Sequence, residues 1–240
     1  MGSHFLDLRA AAAQLHMDPT ELRHFAQRGE VPSRRRGDDF LFEHRLLDEW
    51  AQRRLVGLAH KKLSGEHTMD TSERRRAGGA DCHVSELLPP GGVSMCLTAR
   101  NRGGVIRDMT DLADATGLLY DPATLFAELT AREEAASTAV GGGAAFLHPK
   151  FNDPFLFQEP FIAFARAERP VFFGSQDGEG TDLFFLICSP DRSLHLHILA
   201  RLCVLAHGST LLEDLRAAPD EETVRTALKT AEDKYLSAIS

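Results

Sequence analysis

Residues 129–150 read LTAREEAASTAVGGGAAFLHPK, and the stretch passes from helix-forming composition through a glycine triplet into a short apolar run. Leu125, Phe126 and Leu129 lie at helical spacing behind the cap-and-start pair Asp121-Pro122, so a helix enters the stretch from its N-terminal side. Gly141, Gly142 and Gly143 break regular structure and read as a tight turn. The apolar run 144–147 that follows is a strand candidate, and His148 closes it, just before Pro149 and Lys150.

Working outward, 161–165 and 183–188 are further short apolar runs bounded by Gly, Pro or Asp. The second is almost wholly apolar, the pattern of a strand buried on both faces. Residues 103–116 read as a helix stopped by Gly117, and Ser193 is placed to cap a helix that runs to His207 and stops at Gly208. Pro219-Asp220 opens a last helix carrying Val224, Leu228 and Tyr235. Helices and strands that alternate in this way predict an α/β sandwich built on one mixed sheet over residues 84–240.

The chain has 240 residues, of which 43% are apolar, enough for a real core, and it carries a net charge of −8. Its charge is unevenly divided. Residues 1–83 hold 14 Lys and Arg against 13 Asp and Glu, whereas 84–240 hold 13 against 22. The acidic second part is a poor binder of nucleic acid, because cationic side chains supply most of that affinity; any DNA contact belongs to the first part. No run is long and apolar enough to span a bilayer and no secretory signal opens the chain, so a cytoplasmic protein without membrane contact is expected. Cys82, Cys96, Cys188 and Cys203 form no C-x-x-C pair, which argues against a zinc ribbon or a disulfide framework and for reduced thiols. The opening Met1-Gly2-Ser3-His4 reads as an expression scar rather than as part of the fold.

In the first part, Leu8, Ala11, Ala12 and Leu15 follow the helical rule behind Asp7. Asp18-Pro19 then starts a second helix with Leu22, Phe25 and Ala26 on its apolar face and Gly29 at its end. Residues 31–42 alternate around the turn Gly37-Asp38-Asp39 and read as a small hairpin, and Leu46, Leu47 and Trp50 mark a third helix. Residues 56–83 lose periodicity, end in a run containing Arg74, Arg75 and Arg76, and read as a linker whose first part extends the third helix. With no periodic apolar residues there to dock them, the two modules are expected to fold as separate units.

The order helix, turn, helix, wing, helix over residues 5–55 resembles the winged helix-turn-helix of the excisionase and MerR-like group. That resemblance implies a DNA-facing second helix with Thr20, Arg23, His24 and Arg28, and a wing whose Arg34, Arg35 and Arg36 contact the phosphate backbone. Asp38 and Asp39 at the wing tip depart from it, since carboxylates repel phosphates. A module whose arginines are simply a solvated surface for protein contacts is the alternative.

Three stretches of the second part, 129–150, 169–190 (RPVFFGSQDGEGTDLFFLICSP) and 194–202 (LHLHILARL), together resemble the enzyme IIA family of the bacterial phosphotransferase system, of the fructose, mannitol and nitrogen-regulatory type. The resemblance implies that His148 accepts a phosphoryl group from a histidine-containing phosphocarrier protein, with His195 and Arg132 beside it and neither a metal nor a cofactor needed. The residue types suit the chemistry. An imidazole with a reference pKa of about 6.5 is mostly neutral and nucleophilic at pH 7. A neighbouring imidazole and a guanidinium can hold the charge that develops on phosphoryl oxygens. His195 and His197 cannot share a metal from a regular helix, because residues two apart diverge by about 200°.

Each residue also has a plainer reading: His148 as a core histidine bonded to backbone, Arg132 as a complement to a helix dipole. The family usually has Pro before the acceptor, Gly after it and a polar residue in the turn, where this chain has Leu147, Pro149 and Gly142. Phe151, Phe155, Phe157, Phe161 and Phe164 make 151–164 strongly aromatic, a docking surface if exposed. These residues fit two functions. One is a nitrogen-regulatory phosphoryl carrier that also regulates transcription and acts on a regulated protein partner; the other is a non-catalytic binding protein that kept the fold and lost the relay.

Overall fold

The computed structural model describes residues 5–15, 17–37, 39–63, 82–153, 155–175 and 177–239. The N-terminal module runs β1 (Phe5–Asp7), α1 (Leu8–Gln14), α2 (Pro19–Gln27), β2 (Arg34–Arg36), β3 (Asp39–Glu43) and α3 (His44–Leu63). Both expected caps form: the Asp7 carboxylate accepts from the Ala10 amide at 2.8 Å and that of Asp18 from the Thr20 amide at 2.8 Å, with Pro19 at the first helical position. β1 is an addition to the reading above, and pairs with β3 so that the hairpin becomes a three-stranded antiparallel sheet of order β1-β3-β2. Leu8, Ala11, Leu15, Leu22, Phe25, Phe42 and Leu47 form its buried centre.

The second part opens with a single 3-10 turn (Val84–Leu87) and continues β4 (Val93–Leu97), α4 (Arg102–Ala115), α5 (Pro122–Ala135), β5 (Ala139–Gly141), β6 (Ala144–Leu147), β7 (Phe161–Val171), β8 (Thr181–Cys188), α6 (Arg192–Gly208), α7 (Leu211–Ala217) and α8 (Glu221–Ile239). The expected mixed sheet is present, in the order β4-β7-β8-β6-β5, with β4 parallel to β7, β8 antiparallel to β7, and β6 parallel to β8. Alternation along the strands sorts side chains to two faces. Phe146, Phe164 and Phe185 face α6, α7 and α8, with ring centroids 5.0 Å (Phe164 to Phe185) and 5.5 Å (Phe146 to Phe185) apart. Ala145, Leu147, Ala163, Phe184 and Leu186 face α4 and α5. Each such buried phenylalanine contributes about 1.5–3 kcal/mol.

Some boundaries moved for local reasons. Asp191, not Ser193, caps α6, its carboxylate accepting from the Leu194 amide at 2.7 Å. β7 runs well beyond residue 165 because β8 continues to pair with it, as far as Val171 with Thr181. β4 and α7 had no clear signal, being held by tertiary contact rather than by strong periodicity. Arg201 is fully buried and donates to Glu232 at 2.6 Å, and the same carboxylate accepts from the Val84 and Ser85 amides at 2.8 and 2.9 Å, tying the start of the domain to α8.

The linker expectation over 56–83 falls mostly on residues 64–81, which lie outside the described residues, as do Arg74, Arg75 and Arg76. The two parts are nonetheless in contact through α3. α3 packs on α6 and β5, and the apolar residues of the module are continuous with the α6 face of the sheet. Asp48, buried, receives a hydrogen bond from Gln14 at 2.6 Å and pairs with Arg192 of α6 at 2.9 Å.

Candidate functional site

Topology brings the expected residues together. β6 and β8 are parallel neighbours, so the residues just past their C-terminal ends are adjacent: His148 follows β6, and α6, which carries His195 in its first turn, follows β8. The side chain of His148 continues the parity of Ala144 and Phe146, toward α6. His195 meets it there, the two rings 4.9 Å apart at 58°. Arg132 comes from the last turn of α5, held by a hydrogen bond from its Nη1 to the Ala136 carbonyl at 2.6 Å, and its Nε lies 2.9 Å from Nε2 of His148. All three are buried, with His148 and His195 at 0% and 1% exposure.

These bonds define the tautomer. Nδ1 of His148 is 2.9 Å from the Phe146 carbonyl, which can only accept, so Nδ1 carries the proton. Nε2 is then the unprotonated nitrogen and accepts from the Arg132 guanidinium, which can only donate. Burial drives the pKa of His148 well below that of a free imidazole, and the Arg132 cation and His195 push the same way. Burial, then Arg132, lowers His195 to about 4. Both rings are neutral at pH 7. The site is a neutral imidazole with one lone pair directed at a cation, next to a second neutral imidazole.

Beyond Arg132 lies a cleft of about 210 Å³ lined by Arg132, Ala135, Ala136 and Lys150 on one side and by Glu49 and Arg53 of α3 on the other. The part played by α3 had no signal in the sequence: Glu49 and Arg53 sit one turn apart, spacing that belongs to any solvated helix face. Lys150 was visible only as a polar neighbour of His148.

His197 faces elsewhere, its Nε2 donating to the Cys82 carbonyl at 3.3 Å, so α6 turns His195 and His197 to different neighbours. Among the described residues no group of three or more His, Cys, Asp or Glu side chains is placed to hold a metal ion. No single described helix is long and apolar enough to cross a membrane.

The glycine triplet is required by its geometry. Gly141, Gly142 and Gly143 have φ of 79°, 63° and 77°, and a Cβ on Gly143 would lie 2.4 Å from Nη2 of Arg216 and 2.6 Å from Oδ1 of Asp182. Those two side chains are paired at 2.7 Å, and Arg216 also donates to the Gly142 carbonyl at 2.6 Å, which locks the turn that delivers β6.

In the N-terminal module Thr20, His24, Arg28, Arg34, Arg35 and Arg36 are exposed and Arg23 is partly so. Arg23 pairs with Asp39 at 3.2 Å and Arg28 with Glu30 at 2.6 Å, while Arg34 lies over the Phe5 ring with its carbon 5.0 Å from the centroid. Of the aromatic segment, Phe157, Phe161 and Phe164 are core residues and Phe151 and Phe155 are exposed, because the chain turns at 155–157 before entering β7.

Comparison with known proteins agrees with this geometry. The chain is 31% identical over 148 residues to the nitrogen regulatory protein of Bradyrhizobium diazoefficiens, a match covering 60% of this chain and 94% of that one. It is 27% identical over 143 residues to the nitrogen regulatory protein of Pseudomonas aeruginosa, covering 59% and 91%. The fold matches that of nitrogen regulatory protein IIA-Ntr from Neisseria meningitidis with a TM-score of 0.53 at 24% identity, over 60% of this chain and 98% of that one. It also matches IIA mannitol from Escherichia coli with a TM-score of 0.52 at 17% identity, over 59% and 98%. The family model described as phosphoenolpyruvate-dependent sugar phosphotransferase system, EIIA 2, matches residues 86–231, more than half of the chain, and the chain belongs to that family.

Proposed function

We propose that this chain is a phosphohistidine carrier of the nitrogen-regulatory kind, which takes a phosphoryl group onto Nε2 of His148 from a histidine-containing phosphocarrier protein. The observation that carries this reading is the fixed tautomer: with the proton on Nδ1 held by the Phe146 carbonyl, Nε2 presents its lone pair toward Arg132. In the transfer, the bond from phosphorus to the donor nitrogen breaks as the bond to Nε2 forms, and no proton has to move to make the nucleophile. Arg132 exchanges its bond to Nε2 for bonds to phosphoryl oxygens, and His195 lies close enough to His148 to share that charge. A related Escherichia coli protein, enzyme IIA of the mannitol system, has been solved in complex with its phosphorylated enzyme IIB, so a protein that receives the group from His148 is a fitting second partner.

Pro149 follows the acceptor and has no backbone N–H to offer the phosphoryl group. Loss of one such donor costs on the order of 3 kcal/mol, about a hundredfold in rate, so transfer is expected to be slow. The test is incubation with phosphoenolpyruvate and the phosphocarrier proteins, read by intact mass. The wild type gains one acid-labile phosphoryl group, His148→Ala gains none, His195→Ala gains it more slowly, and Pro149→Gly gains it faster. A second reading, a binding scaffold without transfer, is favoured by the complete burial of His148. It prevails if neither the wild type nor Pro149→Gly is modified by donors that modify another enzyme IIA.

The N-terminal module is proposed to bind DNA and so to join this carrier to transcription. Support comes from the exposed Arg34, Arg35 and Arg36 on β2 and from Thr20 and His24 on α2. The pairs Arg23 with Asp39 and Arg28 with Glu30 reduce the free positive charge on this face. In gel shifts at low salt the full chain should bind duplex DNA, and alanine at Arg34, Arg35 and Arg36 should weaken all sequences alike. Absence of binding at low salt leaves the module as a protein-contact unit.

A further inference from the structure

We infer that α3 of the N-terminal module is a built-in lid on the acceptor histidine, so that the docked module and a phosphocarrier protein exclude one another from His148. The role of His148 as acceptor is taken from the reading above; the lid itself rests on geometry.

The approach to Nε2 can be traced outward. Nε2 is hydrogen-bonded to Arg132, Arg132 forms one wall of the cleft, and Glu49 and Arg53 of α3 form the other. A protein that delivers a phosphoryl group must bring its own phosphohistidine into line with Nε2, within a few ångströms. The cleft has room for a small anion and none for a second protein surface while α3 occupies it.

The contact is complementary in charge at its centre. The domain side presents Arg132, Lys150 and Arg192, and α3 answers with Asp48 and Glu49, while Arg45 and Arg53 of α3 line the same clefts as like charges. Asp48 is the centre of the clip: buried, held by Gln14 at 2.6 Å and paired with Arg192 at 2.9 Å. Phe151, at 39% exposure, flanks the same seam beside Arg45 and Asn152. A basic rim with an accessible aromatic around a reactive histidine is a surface to which a helix can dock by its carboxylates, and here Asp48 and Glu49 in the first turns of α3, a helix otherwise rich in Arg and Lys, supply them. The mass-action consequence is that phosphorylation proceeds at a rate scaled by the fraction of molecules with α3 lifted.

The test uses the full chain and two independent readouts. Carbethoxylation of His148 by diethyl pyrocarbonate, followed by peptide mass with the exposed His24 as internal reference, reports access to the ring without any phosphoryl transfer. Initial phosphorylation by phosphoenolpyruvate and the phosphocarrier proteins reports the reaction. Asp48→Arg sets two cations against each other at the clip, and Arg192→Ala weakens it from the domain side. Each should raise His148 modification by about tenfold or more, and phosphorylation in step with it. The exchanged pair Asp48→Arg with Arg192→Asp should return both toward the wild-type rate. Faster modification with no phosphorylation in any variant keeps the lid and defeats the carrier reading. Arg192→Ala and Asp48→Arg proteins whose His148 reacts at the wild-type rate relative to His24, or which are phosphorylated no faster than a wild type that is itself phosphorylated, overturn the lid.

Discussion

Acidification should destabilise this protein well above the pH at which its ordinary carboxylates titrate, because the site histidines are buried neutral. His195 has an unfolded-state value of about 6.5 and a folded value of about 4. Since the folded value is the lower one, the unfolded chain binds the extra proton first, and the stability present above pH 6.5 is lost as pH falls toward 4. The full contribution of His195 is about 3 kcal/mol, of which about 2 kcal/mol is gone by pH 5. His148 is shifted the same way and adds to the loss. Glu133 and Asp48 work in the opposite sense: burial raises both, so the folded protein takes up their protons first as pH falls. The clean measurement is therefore a difference. Urea unfolding at pH 7, 6 and 5, on wild type and on His195→Gln, gives two pH slopes, and the wild type should lose about 2 kcal/mol more than the variant between pH 7 and 5. Equal slopes would refute the claim that burial and Arg132 hold this ring neutral.

Two further outcomes follow from packing. Arg201→Met should cost about 3–5 kcal/mol in urea unfolding, because it leaves the Glu232 carboxylate buried with only the Val84 and Ser85 amides; adding Glu232→Gln, which removes the orphaned charge, should recover a good part of it. Gly143→Ala should cost about 2 kcal/mol or more, since it adds a positive-φ penalty and drives a Cβ into the Arg216 and Asp182 pair, and the double variant with Asp182→Ala should lose less than the sum of the two single changes.

Much of the domain was legible because its signals are local. Asp7, Asp18 and Asp121 are helix caps by side-chain chemistry alone, and each caps as expected. The nearly unbroken apolar run 183–188 makes β8 a strand buried on both faces before any partner is known. Once strand, glycine turn and histidine were recognised at 129–150, the parallel pairing of β6 with β8 was enough to bring His148 and His195 together. The cap that was misplaced, Ser193 for Asp191, involves two polar residues with equal local claims, and only the end of β8 decides between them.

The amino-acid sequence alone therefore determined the α/β class, the three residues that meet around His148 and the mostly neutral charge of an imidazole at pH 7, since these depend on side-chain type and on spacing along one chain. Tertiary structure decided the rest. Which nitrogen of His148 is nucleophilic depends on the Phe146 carbonyl and on Arg132, sixteen residues away in the chain. How far the two rings are shifted depends on burial that no window of sequence displays. That α3 lies across the approach to His148 depends on Asp48 meeting Arg192, groups separated by most of the chain; at either position the sequence shows only one more charge on a helix, because a contact free energy belongs to the pair and not to either residue.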